Sequence, residues 1–209
     1  MIDHRNTSRF LTAALAGLAA CVLVALVPQA WGQSGTAPQY TSSGELQTPS
    51  GFETWVFVGS NLGLGYDKEL KLTNARENAH AESQVFHNIY INPEAYANFV
   101  ATHEFPDPTV LVMEVFTAAD KEPKGVVTRG VFDGERVGLQ VAVKDSHSPA
   151  PHGRNWAYYI PQDVSDPTHK LLASSPAFPD AACESCHQAH AGLDNVWVQF
   201  YPTLRKLIK

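Results

Sequence analysis

Between Phe52 and Ile160 short apolar runs alternate with polar breaks, at the two-residue period of half-buried strands. Trp55–Val58 predicts a strand that ends at Gly59-Ser60-Asn61, and the polar stretch 61–82 reads as a loop. Val85–Ile91 (VFHNIYI) has strand composition. Asn92-Pro93-Glu94 then places an N-cap, a proline at the first helical position and an acid in the first turn. A short helix through about Val100 follows from that signal. Thr109–Phe116 is a strong strand, with Val110, Leu111, Val112, Met113 and Val115. Gly125–Phe132 and Arg136–Lys144 read as a hairpin turning at Asp133-Gly134. Asn155–Ile160 is an aromatic strand, and 161–182 is rich in Pro and Ser. A short helix opens at Cys183, and Val196–Lys209 closes the chain. The sum is about six antiparallel strands with short helices. This is an α+β fold, mainly antiparallel sheet, in a single domain over 51–209. The long 3.6-period stretches of a helical bundle are missing, and no internal repeat is visible.

Ahead of this domain the pattern changes twice. Met1–Arg9 is polar with Arg5 and Arg9, and Phe10–Ala30 is almost wholly apolar. Pro28 breaks the run and Ala30-Trp31-Gly32 gives a small-x-small cleavage pattern, so 1–32 reads as a signal peptide and the protein as periplasmic. Two alternatives are a lipidated Cys21, after Leu18-Ala19-Ala20, and an uncleaved anchor. Mass spectrometry of the purified N-terminus separates the three. Residues 33–50, rich in Gly, Ser, Thr, Pro and Gln, predict a flexible leader. The full chain has 209 residues and a formal charge of −6; losing Asp3, Arg5 and Arg9 with the signal makes it one unit more negative. That balance argues against nucleic acid as a partner. It suits small ligands and a basic redox partner protein.

With Cys21 removed, Cys183 and Cys186 are the remaining cysteines. An exported pair could form a disulfide, but the residue after the second is His187. Cys183-Glu184-Ser185-Cys186-His187 is a C-x-x-C-H sequence: two thiols spaced to add across the vinyl groups of one haem, with the adjacent imidazole as proximal iron ligand. A zinc site needs a second ligand pair, and no further cysteine supplies it. A thioredoxin-like pair belongs near the start of a βαβ unit, not close to a C-terminus. One motif implies one covalent haem c, held by Cys183, Cys186 and His187.

Several stretches in order now resemble the cytochrome P-460 and cytochrome c′-β family: Val85–Tyr96 (VFHNIYINPEAY), Glu104–Val115 (EFPDPTVLVMEV), Val143–Ser146 (VKDS), Asn155–Ile160 (NWAYYI), Cys183–His187 and Asp194–Pro202 (DNVWVQFYP). The resemblance spans residues 52–205. It implies a β-rich haem pocket, a five-coordinate iron with a proximal histidine, small nitrogen-oxide ligands and a tendency to dimerise. In the P-460 branch, which oxidises hydroxylamine, a lysine bonds covalently to the porphyrin edge. The c′-β branch binds nitric oxide or carbon monoxide without that chemistry. The lysine's position aligns with Met113, the strand 109–116 contains no lysine, and Lys121 and Lys124 lie beyond it in a polar turn.

The distal candidates follow from that alignment. Met113 either packs against the ring, ligates iron as a sixth ligand, or is a modified or gating residue. His87 stands where the P-460 branch tends to carry an arginine. It is either a hydrogen-bond donor and proton relay for bound ligand or a half-buried strand histidine. Phe178 fits an apolar lid or ordinary packing. Glu114 faces away from Met113 by strand alternation. His80, His103, His147, His152, His169 and His190 read as structural or surface residues. Three functions remain open. One is capture of nitric oxide or a similar diatomic. Another is oxidation of hydroxylamine or nitric oxide. The third is electron transfer with Met113 on iron.

Overall fold

The computed structural model describes residues 36–65, 84–121, 129–149, 155–179 and 183–208. The expected signal segment, most of the loop over 61–82, and Lys124 lie outside them. Strand β1 (Leu46–Gln47) comes first, then a 3-10 turn (Phe52–Thr54), β2 (Val56–Leu62) and β3 (Val85–Ile91). Helix α1 (Pro93–Thr102) leads into the long strands β4 (Thr109–Lys121) and β5 (Gly130–Lys144). Strands β6 (Trp156–Tyr159) and β7 (Ser174–Ser175), helix α2 (Glu184–His190), a 3-10 turn (Val198–Phe200) and α3 (Pro202–Arg205) complete the chain. Strands β2-β3-β4-β5-β6 form one antiparallel sheet in that order, and β1 pairs with β7 in a small second sheet. The domain is therefore α+β with antiparallel sheet dominant, as the alternation predicts. Among the described residues no helix is long and apolar enough to cross a membrane.

Each face of the large sheet covers its own core. On one face Ile89, Leu111 and Trp156 meet Ala95 and Phe99 of α1 and Val196, Val198 and Leu204 of the C-terminal segment. Phe99 stacks on Phe105 at 4.5 Å, and Phe105 meets the edge of Trp156 at 6.1 Å. On the other face Val110, Val112, Leu139, Val141 and Val143 pack under Leu46 and Phe52. Alternation along β4 decides this: Val110 and Val112 go one way, Leu111 and Met113 the other.

Four expectations are corrected. The flexible leader is not seen from residue 36 onward: Tyr40 bridges Leu46, β1 pairs with β7, and Leu46 is 0% exposed. Its small polar composition hides one apolar anchor, yet the valine face of the sheet needs cover and this arm provides it. Leu46→Ala is expected to cost about 2–5 kcal/mol, the usual range for emptying a buried leucine site. Urea unfolding measures it, and a loss near zero would return the arm to a passive leader.

The hairpin does not turn at Asp133-Gly134. β5 runs straight through it and pairs with β4 from Lys121↔Gly130 to Thr109↔Lys144. Register shifts between Val115 and Ala118 mark bulges, and the Glu135 amide donates to Thr117 Oγ1 at 3.0 Å. Gly134 is there for proximity: a Cβ would run into the Thr117 hydroxyl and its carbonyl oxygen. Nor does β2 stop at Gly59. A Cβ on Gly59 would lie 2.9 Å from Pro202 Cδ and 3.2 Å from Tyr201 Cα, so the glycine admits the C-terminal segment against the strand.

Asn92 does precede a helix with proline in its first turn, but its side chain does not cap it. It accepts the Val110 amide at 2.8 Å instead, tying the helix start to β4. His103 ends α1 in the left-handed region (φ 63°), its amide donating to the Phe99 carbonyl.

Glu114 points to the valine side, as alternation predicts, and is 6% exposed. Arg136 lies 3.6 Å away. Burial raises its carboxyl above the ordinary value; Arg136 opposes the shift, and Glu53 and Asp133 add to it. Below the ordinary carboxylate range both folded and unfolded chains hold this proton. As pH rises, the unfolded chain releases it first, so stability falls until pH passes the folded pKa. Glu114→Gln is expected to remove that decline while leaving acid stability unchanged. Denaturant midpoints from pH 4 to 8 for both proteins check it.

Candidate functional site

A cleft of about 350 Å³ opens on the Leu111–Met113 face of the sheet. That volume falls within the range of small-molecule and cofactor sites. β3 contributes His87 and Ile89, β4 Leu111 and Met113, and β6 Trp156 and Tyr158. The N-cap residue Cys183, Cys186 and His187 of α2, and the segment Asn195–Trp197 also line the cleft. Phe178 closes a further side, its amide donating to the Tyr158 carbonyl at 2.8 Å. Among the described residues lining the cleft there is no Lys, Arg, Asp or Glu.

All the site residues expected from the sequence therefore reach one cavity: His87, Met113 and Phe178 with Cys183, Cys186 and His187. They come from four separate parts of the chain, and the sheet brings them together. Cys183 at the N-cap of α2 and Cys186 within it are three residues apart, and they are not joined in a disulfide. Lys121 ends β4 opposite Gly130.

His187 is the most constrained group. Its Nδ1–H donates to the Asn195 carbonyl at 2.9 Å, and the Trp197 indole N–H donates to Nε2 at 3.2 Å. The two bonds assign one tautomer, with the proton on Nδ1 and the lone pair on Nε2 accepting from Trp197. Tyr158 packs on the ring at a centroid distance of 4.6 Å, and Trp197 at 5.4 Å. Burial lowers the imidazole pKa, opposed by the bond to Asn195, so the neutral form that can donate to a metal is favoured. Sequence reasoning assigned no role to Tyr158, Trp197, Asn195 or Asn61. The period-two spacing of Trp156 and Tyr158 in NWAYYI was the available signal for the first.

Met113 packs against the core beside Leu111, paired across the sheet with Ile89 and Gln140. His87 donates Nδ1–H to Asn61 Oδ1 at 2.9 Å, which makes Nε2 its basic nitrogen.

The donor set and the apolar walls suit a haem: thiols and imidazole on one side, aliphatic and aromatic surface on the other. A family model, Cytochrome P460, matches residues 49–198. The chain belongs to the cytochrome P460 family. Among curated proteins none matches it. Membership in the cytochrome P460 family implies a haem cofactor. The cleft is the part of the described structure whose residues fit one. Iron would take the Nε2 lone pair that Trp197 now engages, so the indole would give up that bond.

Proposed function

We propose that this protein is an exported cytochrome carrying one covalent haem c, which captures nitric oxide or a similarly small nitrogen-oxide ligand. The observation that carries the reading is the convergence of Cys183, Cys186 and His187 on a cleft with an apolar far wall. Cys183 and Cys186 would hold the macrocycle, and His187 Nε2 would bind its iron. A haem so held supplies a reducible iron with one face open to a diatomic. Leu111, Met113 and Phe178 keep water from that face, and Met113 serves as packing. The apolar N-terminal segment supports export, because the attachment chemistry takes place outside the bacterial cytoplasm.

A second reading, oxidation of hydroxylamine or nitric oxide, draws on the His87–Asn61 pair. A histidine held in this way is a candidate hydrogen-bond donor or proton relay for bound ligand. Against this reading, residues 109–116 contain no lysine, and the cross-linked macrocycle belongs to that activity. Electron transfer with Met113 as iron ligand is weaker, since Met113 sits in the core packing.

The test is expression with the cytochrome c maturation machinery, followed by mass spectrometry of the denatured chain and absorption spectra. One haem per chain is expected, with a high-spin ferric spectrum lacking a thioether-to-iron charge-transfer band. Nitric oxide is expected to bind the ferrous form. Turnover of hydroxylamine with an electron acceptor, or a strongly red-shifted ferrous Soret band, would replace this reading with the enzymatic one. A chain without haem would defeat both.

A further inference from the structure

Glu184 stands between the two cysteines on the first turn of α2 and is only 2% exposed, although its neighbour Ser185 faces solvent. A carboxylate buried that far needs strong partners. Its Oε1 accepts a hydrogen bond from Asn195 Nδ2 at 2.7 Å. Asn195 is also the residue whose carbonyl accepts the hydrogen bond from His187 Nδ1–H.

The turn that carries Asn195 is built to hold still. Asp194 (φ 44°) and Asn195 (φ 60°) are consecutive residues in the left-handed region. Asp and Asn tolerate this conformation better than other side chains, and paired it gives the tight turn of a two-residue hairpin. Leu193 and Val196 close that turn with amide-to-carbonyl bonds of 3.3 and 2.8 Å. Asp194 anchors it to the sheet: Oδ2 accepts from Lys144 Nζ at 2.8 Å and Oδ1 from the Trp156 indole at 3.2 Å. Asn195 anchors it to α2 through Glu184. Sheet and haem-motif helix are thus tied together at the turn whose Asn195 carbonyl accepts the His187 hydrogen bond.

We infer that Glu184 is a positioning residue for His187, acting through Asn195, and that its negative charge strengthens the imidazole as an iron donor. Groups behind a ligating histidine fix its ring and raise its basicity. A carboxylate there favours the more positive ferric iron and so lowers the reduction potential. The inference rests on the haem reading above.

Three variants of the haem-loaded protein separate the parts: Glu184→Gln, Asn195→Gly and the double substitution. Gln keeps an oxygen for Asn195 and removes the charge. Gly keeps the carbonyl and the left-handed backbone and removes the link to Glu184. Glu184→Gln is expected to retain covalent haem, raise the midpoint potential and shift the ferrous iron–imidazole stretching band to lower frequency. Asn195→Gly is expected to move both readouts the same way, and Glu184→Gln to move them less in the Asn195→Gly background than alone. Unchanged potential and band in Glu184→Gln, with haem attached, overturn the role of the charge. Fully additive shifts overturn the route through Asn195. If Glu184→Gln does not fold, Asn195→Gly decides by itself: a shift supports the inference and its absence overturns it. Wild-type protein without covalent haem, read from the same mass spectra, overturns the haem reading and this inference with it.

Discussion

Replacing both Cys183 and Cys186 with serine will leave the denatured chain with no haem, while the domain still folds. A haem c stays on an unfolded polypeptide only through its thioether bonds, and a serine hydroxyl does not replace the thiol in forming them. Cys183 at the N-cap of α2 and Cys186 within it stand three residues apart and line a single cleft. Each single substitution therefore leaves one bond in place, and haem survives denaturation in both single variants. Folding is expected to persist because neither cysteine belongs to either core: one is built on Phe99, Trp156 and Leu111, the other on Leu46, Val112 and Val141. Haem detection on a denaturing gel reads the first outcome, and circular dichroism the second. Haem retained on the denatured double variant would mean attachment elsewhere in the chain.

What could be read from the sequence was whatever rests on local pattern. Strand β3 matches Val85–Ile91 residue for residue, because alternating β-branched and aromatic side chains leave little choice of period. Helix α1 starts at Pro93 as the Asn-Pro-Glu signal says. Cys183, Cys186 and His187 stand out as candidates from the C-x-x-C-H spacing alone. The misreadings concern places where distant chain decides. Asp133-Gly134 is a good turn dipeptide by composition, yet it lies inside β5, where Thr117 of the neighbouring strand demands a residue without a side chain. Leu46 sits among small polar residues and is buried only because the far face of the sheet needs cover. Glu184 looks like any solvent-facing residue of a C-x-x-C-H motif until the Asp194-Asn195 turn folds over it. Asn61 reads as the end of a strand, and its bond to His87 appears only when β2 and β3 pair. The proximal and distal candidates were therefore legible as residue types, and the groups that orient them were not.

The largest effect on stability is expected at Trp156, where core and site share one side chain. Trp156 is 1% exposed, meets Phe105 edge-on, lines the cleft, and donates its indole N–H to Asp194. Two substitutions take these roles apart. Trp156→Ala removes the ring and is expected to cost about 3–5 kcal/mol. Against a total of roughly 5–15 kcal/mol for a domain, that brings this one close to unfolding. Trp156→Phe keeps most of the apolar contact and deletes the donor to a carboxylate, at about 1.5–3 kcal/mol. The remainder stays modest because Lys144 still holds the other carboxylate oxygen of Asp194 at 2.8 Å. Urea unfolding with an unchanged slope measures both. The phenylalanine variant should also loosen the turn that presents the Asn195 carbonyl to His187, without touching the imidazole itself. A Phe variant as unstable as the Ala variant would mean that the Asp194 bond, not ring packing, holds the sheet to the C-terminal segment. In that case the turn that accepts the His187 hydrogen bond is a principal fastening of the fold.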